Sequence, residues 1–191
     1  MMKVREVPAY AFKDFWAQKP KYQQPFFKVL SFLIAPLSAV IFTNANTIAV
    51  YHDARIFTTF RETIAKLSAG ADIVIFPEHD VKYNNIIYDF QDSFIDIAKL
   101  YYKRKGVELS FVPLYIAPSL KKMYYGTPIR YCAENSAEEE RKRICEYLMT
   151  EITSIATSLP EHTVVPYRNI PKKYYPKNIQ AEVSTDEKAD G

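Results

Sequence analysis

The chain has 191 residues, which is enough for one domain with a substantial core and short for two. Apolar residues make up 48% and charged residues 25%, the balance of a folded globular protein, so extended disorder is excluded. The formal net charge of +3 argues against a strongly basic surface, so we expect no nucleic-acid partner.

The first long apolar stretch, residues 25–42, follows an amino-terminal segment, residues 1–24, that lacks the pattern of a secretory signal. The stretch is near the minimum length for a membrane span, but it contains Lys28 and Pro36. We expect a helix to about Ile34, lying at a membrane interface and followed by a turn. A buried core helix and a true span are the alternatives that the sequence leaves open.

Strand-like and helix-like patterns then alternate over residues 43–160. Apolar runs rich in β-branched or aromatic residues predict strands at residues 47–51, 71–76, 109–116 and 123–129. Apolar residues at helical spacing predict helices at residues 57–67, 90–101 and 144–155. The run at 71–76 is apolar throughout, as expected of a strand buried on both faces. This alternation predicts an α/β fold with a largely parallel sheet flanked by helices.

The last predicted helix has the clearest boundaries and the clearest core face. Ser136 with Glu139 three residues on predicts a capping box. The apolar stripe expected in the core consists of Ile144, Leu148, Ile152 and Ile155. Residues 161–191 then form a Pro-, Tyr- and Lys-rich tail, which we expect to be disordered from Glu182 onward.

Two cysteines, Cys132 and Cys145, have neither C-x-x-C spacing nor a histidine at the spacing of a metal site. We expect two reduced thiols in a cytosolic protein. No ligand cluster has suitable spacing, so we expect neither a metal nor a redox cofactor.

The candidate functional residue with the clearest position is Glu78. It follows Pro77 at the end of the predicted strand 71–76, and strands of α/β sheets present ligand sites at such ends. Proline ends the ladder because it lacks an amide donor. Glu78 is then expected at the rim of a crevice, although most glutamates in such loops are simply solvated.

Five short elements follow one another in a fixed order. They are A-V-Y-H-D-A-R (49–55), F-R-E-T-I-A-K-L-S-A-G (60–70), I-V-I-F-P-E (73–78), F-V-P-L-Y-I (111–116) and M-Y-Y-G-T-P-I (123–129). An acidic-then-basic helix follows at residues 137–159. Together they resemble the lysophosphatidic acid acyltransferase family of glycerolipid acyltransferases, and the chain corresponds to the carboxy-terminal part of that fold, with the sheet incomplete on its amino-terminal side.

The resemblance implies transfer of an acyl group from acyl-CoA or acyl-carrier protein to the hydroxyl of a lysophospholipid, with no further cofactor. Glu78 matches the family's F-P-E, and His52 stands where the family usually has a phosphate-binding arginine. Arg55 and Lys82 are the nearby cations that the resemblance offers in its place. Amphiphilic substrates imply a cytoplasmic protein peripheral to the inner face of the membrane.

The catalytic block of that family is missing from this sequence. Its base is the histidine of N-H-x-x-x-x-D, whose imidazole takes the hydroxyl proton while the aspartate orients it. None of the chain's three histidines, His52, His79 and His162, has an aspartate five residues later. His79 and Asp80 are a remote candidate for a rebuilt dyad, because adjacent side chains normally point apart.

Whether the chain is an enzyme therefore stays open. We expect an acyltransferase-family protein that is inactive as this chain, with the catalytic block lying outside it. A non-catalytic member that binds lipids or a partner is the alternative, and an unrelated α/β interaction domain is a third. Neither cysteine lies beside a histidine in any motif, so no covalent nucleophile is indicated.

Overall fold

The computed structural model describes residues 20–50, 56–168 and 170–179. Most of the predicted amino-terminal segment and the whole polar tail from Glu182 lie outside these ranges, as do residues 51–55. The chain divides into two units, of which the first ends at Ala71 and the second begins at Asp72.

The first unit contains helix α1 (Gln24–Asn44) and helix α2 (Ile56–Ser68). Helix α1 continues through Pro36, so the predicted turn after Ile34 is wrong. A proline removes one backbone hydrogen bond, and the remaining turns of this helix hold it together. No helix among the described residues is both long and apolar enough to cross a membrane.

Helix α2 ends where the sequence predicts, because Gly70 adopts the left-handed φ of +83° that terminates helices. The strand predicted before it is not formed over residues 47–50, which have no regular structure. The Thr59 hydroxyl instead donates a hydrogen bond of 2.7 Å to the Ala49 carbonyl, which ties this segment to the helix.

The second unit mixes helices and strands, as predicted. Its strands are β1 (Glu78–Tyr83), β2 (Tyr88–Phe90), β3 (Ser110–Phe111), β4 (Leu114–Ala117), β5 (Lys122–Tyr125) and β6 (Ile129–Arg130). Its α-helices are α3 (Asp96–Lys105) and α4 (Ala137–Ser158). The strands pair antiparallel as β1–β2, β3–β6 and β4–β5. The predicted parallel sheet is therefore not found among the described residues.

Local turns explain why neighbouring strands pair with each other. The Asn84 side-chain oxygen accepts hydrogen bonds from the amides of Ile86 (3.1 Å) and Ile87 (2.8 Å), which folds the chain back between β1 and β2. Lys121, with a left-handed φ of +53°, closes the β4–β5 connection. Short turns produce antiparallel pairs, whereas a parallel pair requires a long crossover.

Residues 71–76 are the largest departure from the predicted strands. They have no regular structure, and the side chains of Val74, Ile75 and Phe76 are exposed. A strand buried on both faces requires paired strands and covering helices. No strand of the described residues pairs with this run, so its apolar side chains stay at the surface.

Helix α4 forms as the sequence predicts. The Ser136 hydroxyl accepts from the Glu139 amide (3.2 Å), and the Glu139 carboxylate accepts from the Ser136 amide (2.9 Å), which confirms the capping box. Ile144, Leu148 and Ile152 are buried, and Ile155 packs against the same core. The core also contains Ile86, Phe90, Ile95, Tyr115, Tyr131 and Val164.

Glu140 is buried on this helix, although its sequence context of charged residues indicates a solvated side. Its carboxylate accepts hydrogen bonds from the Arg143 guanidinium (2.7 Å), the Cys132 amide (2.8 Å) and the Asn135 side chain (2.7 Å). Burial alone would raise the pKa of Glu140, but these hydrogen bonds lower it to about 2. The carboxylate thus fastens the loop before α4 to the helix.

Cys132 and Cys145 are both free thiols.

The segment after α4 packs on the core around His162. Its Nδ1 lies 2.8 Å from the Pro160 carbonyl oxygen, and its Nε2 lies 2.6 Å from the Tyr115 hydroxyl. Because a carbonyl only accepts, the neutral ring carries its proton on Nδ1, and Nε2 accepts from Tyr115. The buried Asn178 side chain donates to the Ala156 carbonyl (2.7 Å) and accepts from the His162 amide (2.8 Å). Much of the Pro-, Tyr- and Lys-rich region therefore belongs to the folded unit.

Replacing Tyr115 by Phe is expected to lower the free energy of unfolding by about 1–3 kcal/mol, because it leaves the buried Nε2 of His162 without a donor. Urea denaturation followed by circular dichroism measures this. The matched control is Tyr125→Phe, which removes the same hydroxyl from an exposed side chain and is expected to change little. Equal losses in the two variants would contradict the role assigned to the Tyr115–His162 contact.

Replacing Glu140 by Gln is expected to cost about 3 kcal/mol at neutral pH, because Arg143 loses its buried partner. A lowered pKa gives stability that is present above the ordinary carboxyl pKa and is lost as the pH falls toward 2. The wild-type protein should therefore lose this stability between about pH 5 and pH 2, and the variant should lack that part of the acid dependence. Glu138→Gln, an exposed change on the same helix, serves as control, and a similar effect there would contradict the assignment.

Candidate functional site

Three of the predicted site residues, Glu78, His79 and Lys82, lie on β1. The other two, His52 and Arg55, fall within residues 51–55 and lie outside the described part of the chain. The site can therefore be built around the β1–β2 hairpin alone.

Glu78 begins β1 and is partly buried. Its Oε2 lies 3.4 Å from the amide nitrogen of Tyr88 on the neighbouring strand, and that amide donates to it. Burial raises the pKa of Glu78, and the hydrogen bond from Tyr88 offsets part of that rise. Glu78 begins a strand and does not follow one, so its predicted position at the end of a buried strand is wrong.

His79 and Asp80 do not form the dyad considered from the sequence. The Nε2 atom of His79 lies 3.7 Å from the Asp89 Oδ2 on β2, an ion pair that requires a protonated imidazole. Asp80 instead forms an ion pair with Arg168. Successive side chains of a strand point to opposite faces, so the two neighbours find different partners.

Lys82 is exposed and has a left-handed backbone, with φ of +45°. This conformation is uncommon for a residue other than glycine. It falls where the register between β1 and β2 is irregular, between the pairs Glu78↔Phe90 and Tyr83↔Tyr88. The irregularity aims the ammonium group of Lys82 into solvent at the end of the hairpin.

Three tyrosines gather beside these charges. The rings of Tyr83 and Tyr88 stack with centroids 4.3 Å apart, and Tyr167 lies 5.6 Å from Tyr88. Burial, together with the neighbouring Tyr88, raises the pKa of Tyr83 to about 12. Burial also raises the pKa of Tyr88. The phenols of Tyr83 and Tyr88 are therefore neutral at physiological pH, and the three rings form an apolar wall that carries hydroxyl groups.

The exposed apolar run and the charged hairpin are adjacent in the chain. Val74, Ile75 and Phe76 lead within two residues into Glu78, and the ion pair of Asp80 with Arg168 follows. We call this arrangement, residues 74–82 with Arg168, the β1 corner. The β1 corner thus joins an exposed apolar run directly to a strand that carries charged side chains. Among the described residues, no group of three or more His, Cys, Asp and Glu side chains is placed to hold a metal ion.

Sequence reasoning missed Asp89, Arg168 and the tyrosine wall. Asp89 becomes a partner of His79 only because the turn at Asn84 sets the pairing of β1 with β2. Arg168 lies far along the chain and reaches Asp80 through the packing of the segment after α4. Neither contact leaves a local spacing pattern in the sequence.

No protein-family model, no curated protein and no solved structure significantly matches this chain. The motifs quoted from the sequence are thus the whole basis for the acyltransferase prediction.

Replacing Glu78 by Gln is expected to raise the free energy of unfolding at pH 7. A raised pKa means that the folded protein holds the proton more tightly than the unfolded chain, so the charged form at pH 7 is the less stable one. The gain should vanish below the ordinary glutamate pKa of about 4.3, where both states are protonated. Urea titrations at pH 7 and pH 4 measure the difference. Glu62→Gln, an exposed change on α2, is the control, and a loss of stability at pH 7 in Glu78→Gln would contradict the assigned burial cost.

Proposed function

We propose that this chain is a glycerolipid acyltransferase-type protein that binds a lysophospholipid at the β1 corner and transfers no acyl group by itself. The observation that supports it best is the exposed run of Val74, Ile75 and Phe76 leading directly into the charges of β1. A lysophospholipid has the matching chemistry, with one acyl chain and a charged head. The order of the five sequence motifs points to the same class of ligand.

Within this proposal the positive groups bind the head group. Lys82 is an exposed ammonium, and Arg168 presents a guanidinium beside Asp80. Glu78 is a carboxylate and cannot attract phosphate, so its role is to accept a hydrogen bond from a hydroxyl of the ligand. The roles of His52 and Arg55 in binding the phosphate of the lysophospholipid rest on the resemblance alone.

Acyl transfer in this class needs a base that takes the proton of the acceptor hydroxyl as its oxygen attacks the thioester carbonyl. The sequence has no H-x-x-x-x-D to supply it, and His79 faces Asp89 on an open strand pair. Acyl-CoA or acyl-carrier protein is therefore the donor for the complete family reaction and not a co-substrate that this chain consumes.

Such a protein meets its amphiphilic ligand at a membrane surface, so the proposal places it in the cytoplasm, peripheral to the inner face of the membrane. A second candidate is a partner-binding domain. The outward side of the β4–β5 hairpin favours it, because the cross-strand neighbours Ile116 and Met123 are both exposed, as is Tyr125.

Replacing Phe76 by Glu is expected to weaken binding of lysophosphatidic acid about tenfold, because the acyl chain loses an apolar contact. Lys82→Gln should weaken it about fivefold by removing a charge near the phosphate. Isothermal titration at lipid concentrations below micelle formation measures both. The matched control is Phe57→Glu on α2, because Phe57 and Phe76 have the same exposure of 74%.

Acyl transfer from acyl-CoA and from acyl-carrier protein is measured on the same preparations, with Glu78→Ala as a further variant. The proposal expects saturable binding without turnover. Turnover well above background that Glu78→Ala abolishes would show that the chain contains its own base. Equal weakening by Phe57→Glu and Phe76→Glu, or no saturable binding by folded protein, would remove the β1 corner as the ligand site.

A further inference from the structure

Helix α1 buries its small side chains and exposes its large apolar ones, the reverse of a helix that packs on the core of a water-soluble protein. Its small side chains Ser31 and Ala35 are only 1% and 3% exposed, whereas Leu33 is 70% exposed. In a surface helix the apolar stripe normally faces the protein and the small or polar side faces water. The first unit therefore leaves the most apolar side of α1 to the surroundings.

The exposed side chains form one continuous surface. At 3.6 residues per turn, they fall within an arc of about 200°. We call this surface the α1 apolar face, and it consists of Phe26, Val29, Phe32, Leu33, Ile34, Leu37, Val40 and Ile41. An exposed apolar surface of this extent marks a binding site for an apolar partner.

The charges around α1 select the kind of partner. From Phe15 to His52 the sequence contains no Asp or Glu, and its only charged residues are Lys19, Lys21 and Lys28. Lys21 and Lys28 are exposed, and Lys28 lies outside the arc of the α1 apolar face, so its ammonium group need not enter an apolar phase. A second copy of the chain would bring like charges together, whereas an anionic lipid surface attracts them.

We infer that the α1 apolar face docks on the surface of a bilayer that contains anionic lipids, with the helix axis in the plane of the interface. The apolar side chains enter the boundary between head groups and acyl chains, while Lys21, just before the helix, stays among the head groups. The exposed Tyr22 and Phe26 near the start of α1 are aromatic residues of the kind enriched at that depth. The inference rests on the proposed function, since a protein that binds lysophospholipids meets them at such a surface.

Sedimentation with large unilamellar vesicles tests the inference on the full chain. Wild-type protein is expected to bind vesicles of phosphatidylcholine and phosphatidylglycerol in equal parts, and to bind pure phosphatidylcholine vesicles more weakly. Leu37→Glu is expected to lower the partition coefficient about tenfold or more, because a charge replaces an inserted apolar side chain. Its matched control is Met123→Glu on the β4–β5 hairpin, because the two side chains are 60% and 58% exposed. Lys21→Gln should lower binding to the anionic vesicles about fivefold at low salt. Lys28→Gln should lower it less, because Lys28 lies on the side of α1 that faces away from the bilayer.

Three results would overturn the inference. The first is that folded wild-type protein, checked by circular dichroism, stays in solution with the anionic vesicles. The second is an equal loss of binding in Leu37→Glu and Met123→Glu. The third is a stable dimer in light scattering that Leu37→Glu dissociates, since a second copy then occupies the face. Ile41→Glu, on the same face, repeats the test should Leu37→Glu prove unfolded.

The two proposals fail separately. Vesicle binding uses the α1 apolar face, whereas binding of lysophosphatidic acid below micelle formation uses the β1 corner. Loss of vesicle binding with intact monomer binding overturns only the α1 assignment. Vesicle binding by a wild-type chain that does not bind monomeric lysophosphatidic acid overturns the β1 corner and leaves the surface contact in place.

Discussion

The second unit depends on burying one side of helix α4. Each isoleucine or leucine that α4 buries contributes about 1.5–3 kcal/mol, and these side chains share one buried cluster with residues of β2, α3 and β4. Hydrogen bonds then hold the loops and the segment after α4 in place against this core. Glu140 holds the preceding loop, and Asn178 bonds to the carbonyls of Ala156 and Leu159 near the end of the helix. The hydrogen bond between Tyr115 and His162 joins β4 to the segment that follows α4.

In the first unit, helix α1 exposes the kind of large apolar side chain that helix α4 buries in the second. A helix with so many large apolar side chains can be stable in water only when one side is covered. In α1 the covered side carries Ser31 and Ala35, which gain little from burial, and the large side chains are left outside. These large apolar side chains are therefore exposed, and the bilayer contact that we infer would remove them from water.

The β1–β2 hairpin shows why a motif does not guarantee a reaction. It places Glu78, His79 and Lys82 within six residues, yet each is held by a different neighbour or points into solvent. Tyrosines that remain neutral surround them, and no cluster able to hold a metal ion occurs among the described residues. The motif therefore brings Glu78, His79 and Lys82 onto one strand without giving any two of them a shared partner.

The sequence by itself determined the features that depend on near neighbours. The capping box at Ser136, the apolar stripe of α4 and the left-handed glycines that end α2 and α3, Gly70 (φ +83°) and Gly106 (φ +68°), all follow from residues within one or two turns. It also determined that no histidine has the aspartate spacing of an acyltransferase base.

Only the tertiary structure decided which strands pair, whether residues 71–76 become a strand, and which partner each charge finds. The same apolar sequence can form a buried strand or an exposed segment. The outcome depends on whether residues that are distant in the sequence pack over it. The ion pair of Asp80 with Arg168 and the hydrogen bond of Tyr115 with His162 illustrate this most clearly, because the partners are 88 and 47 residues apart and only folding brings them together.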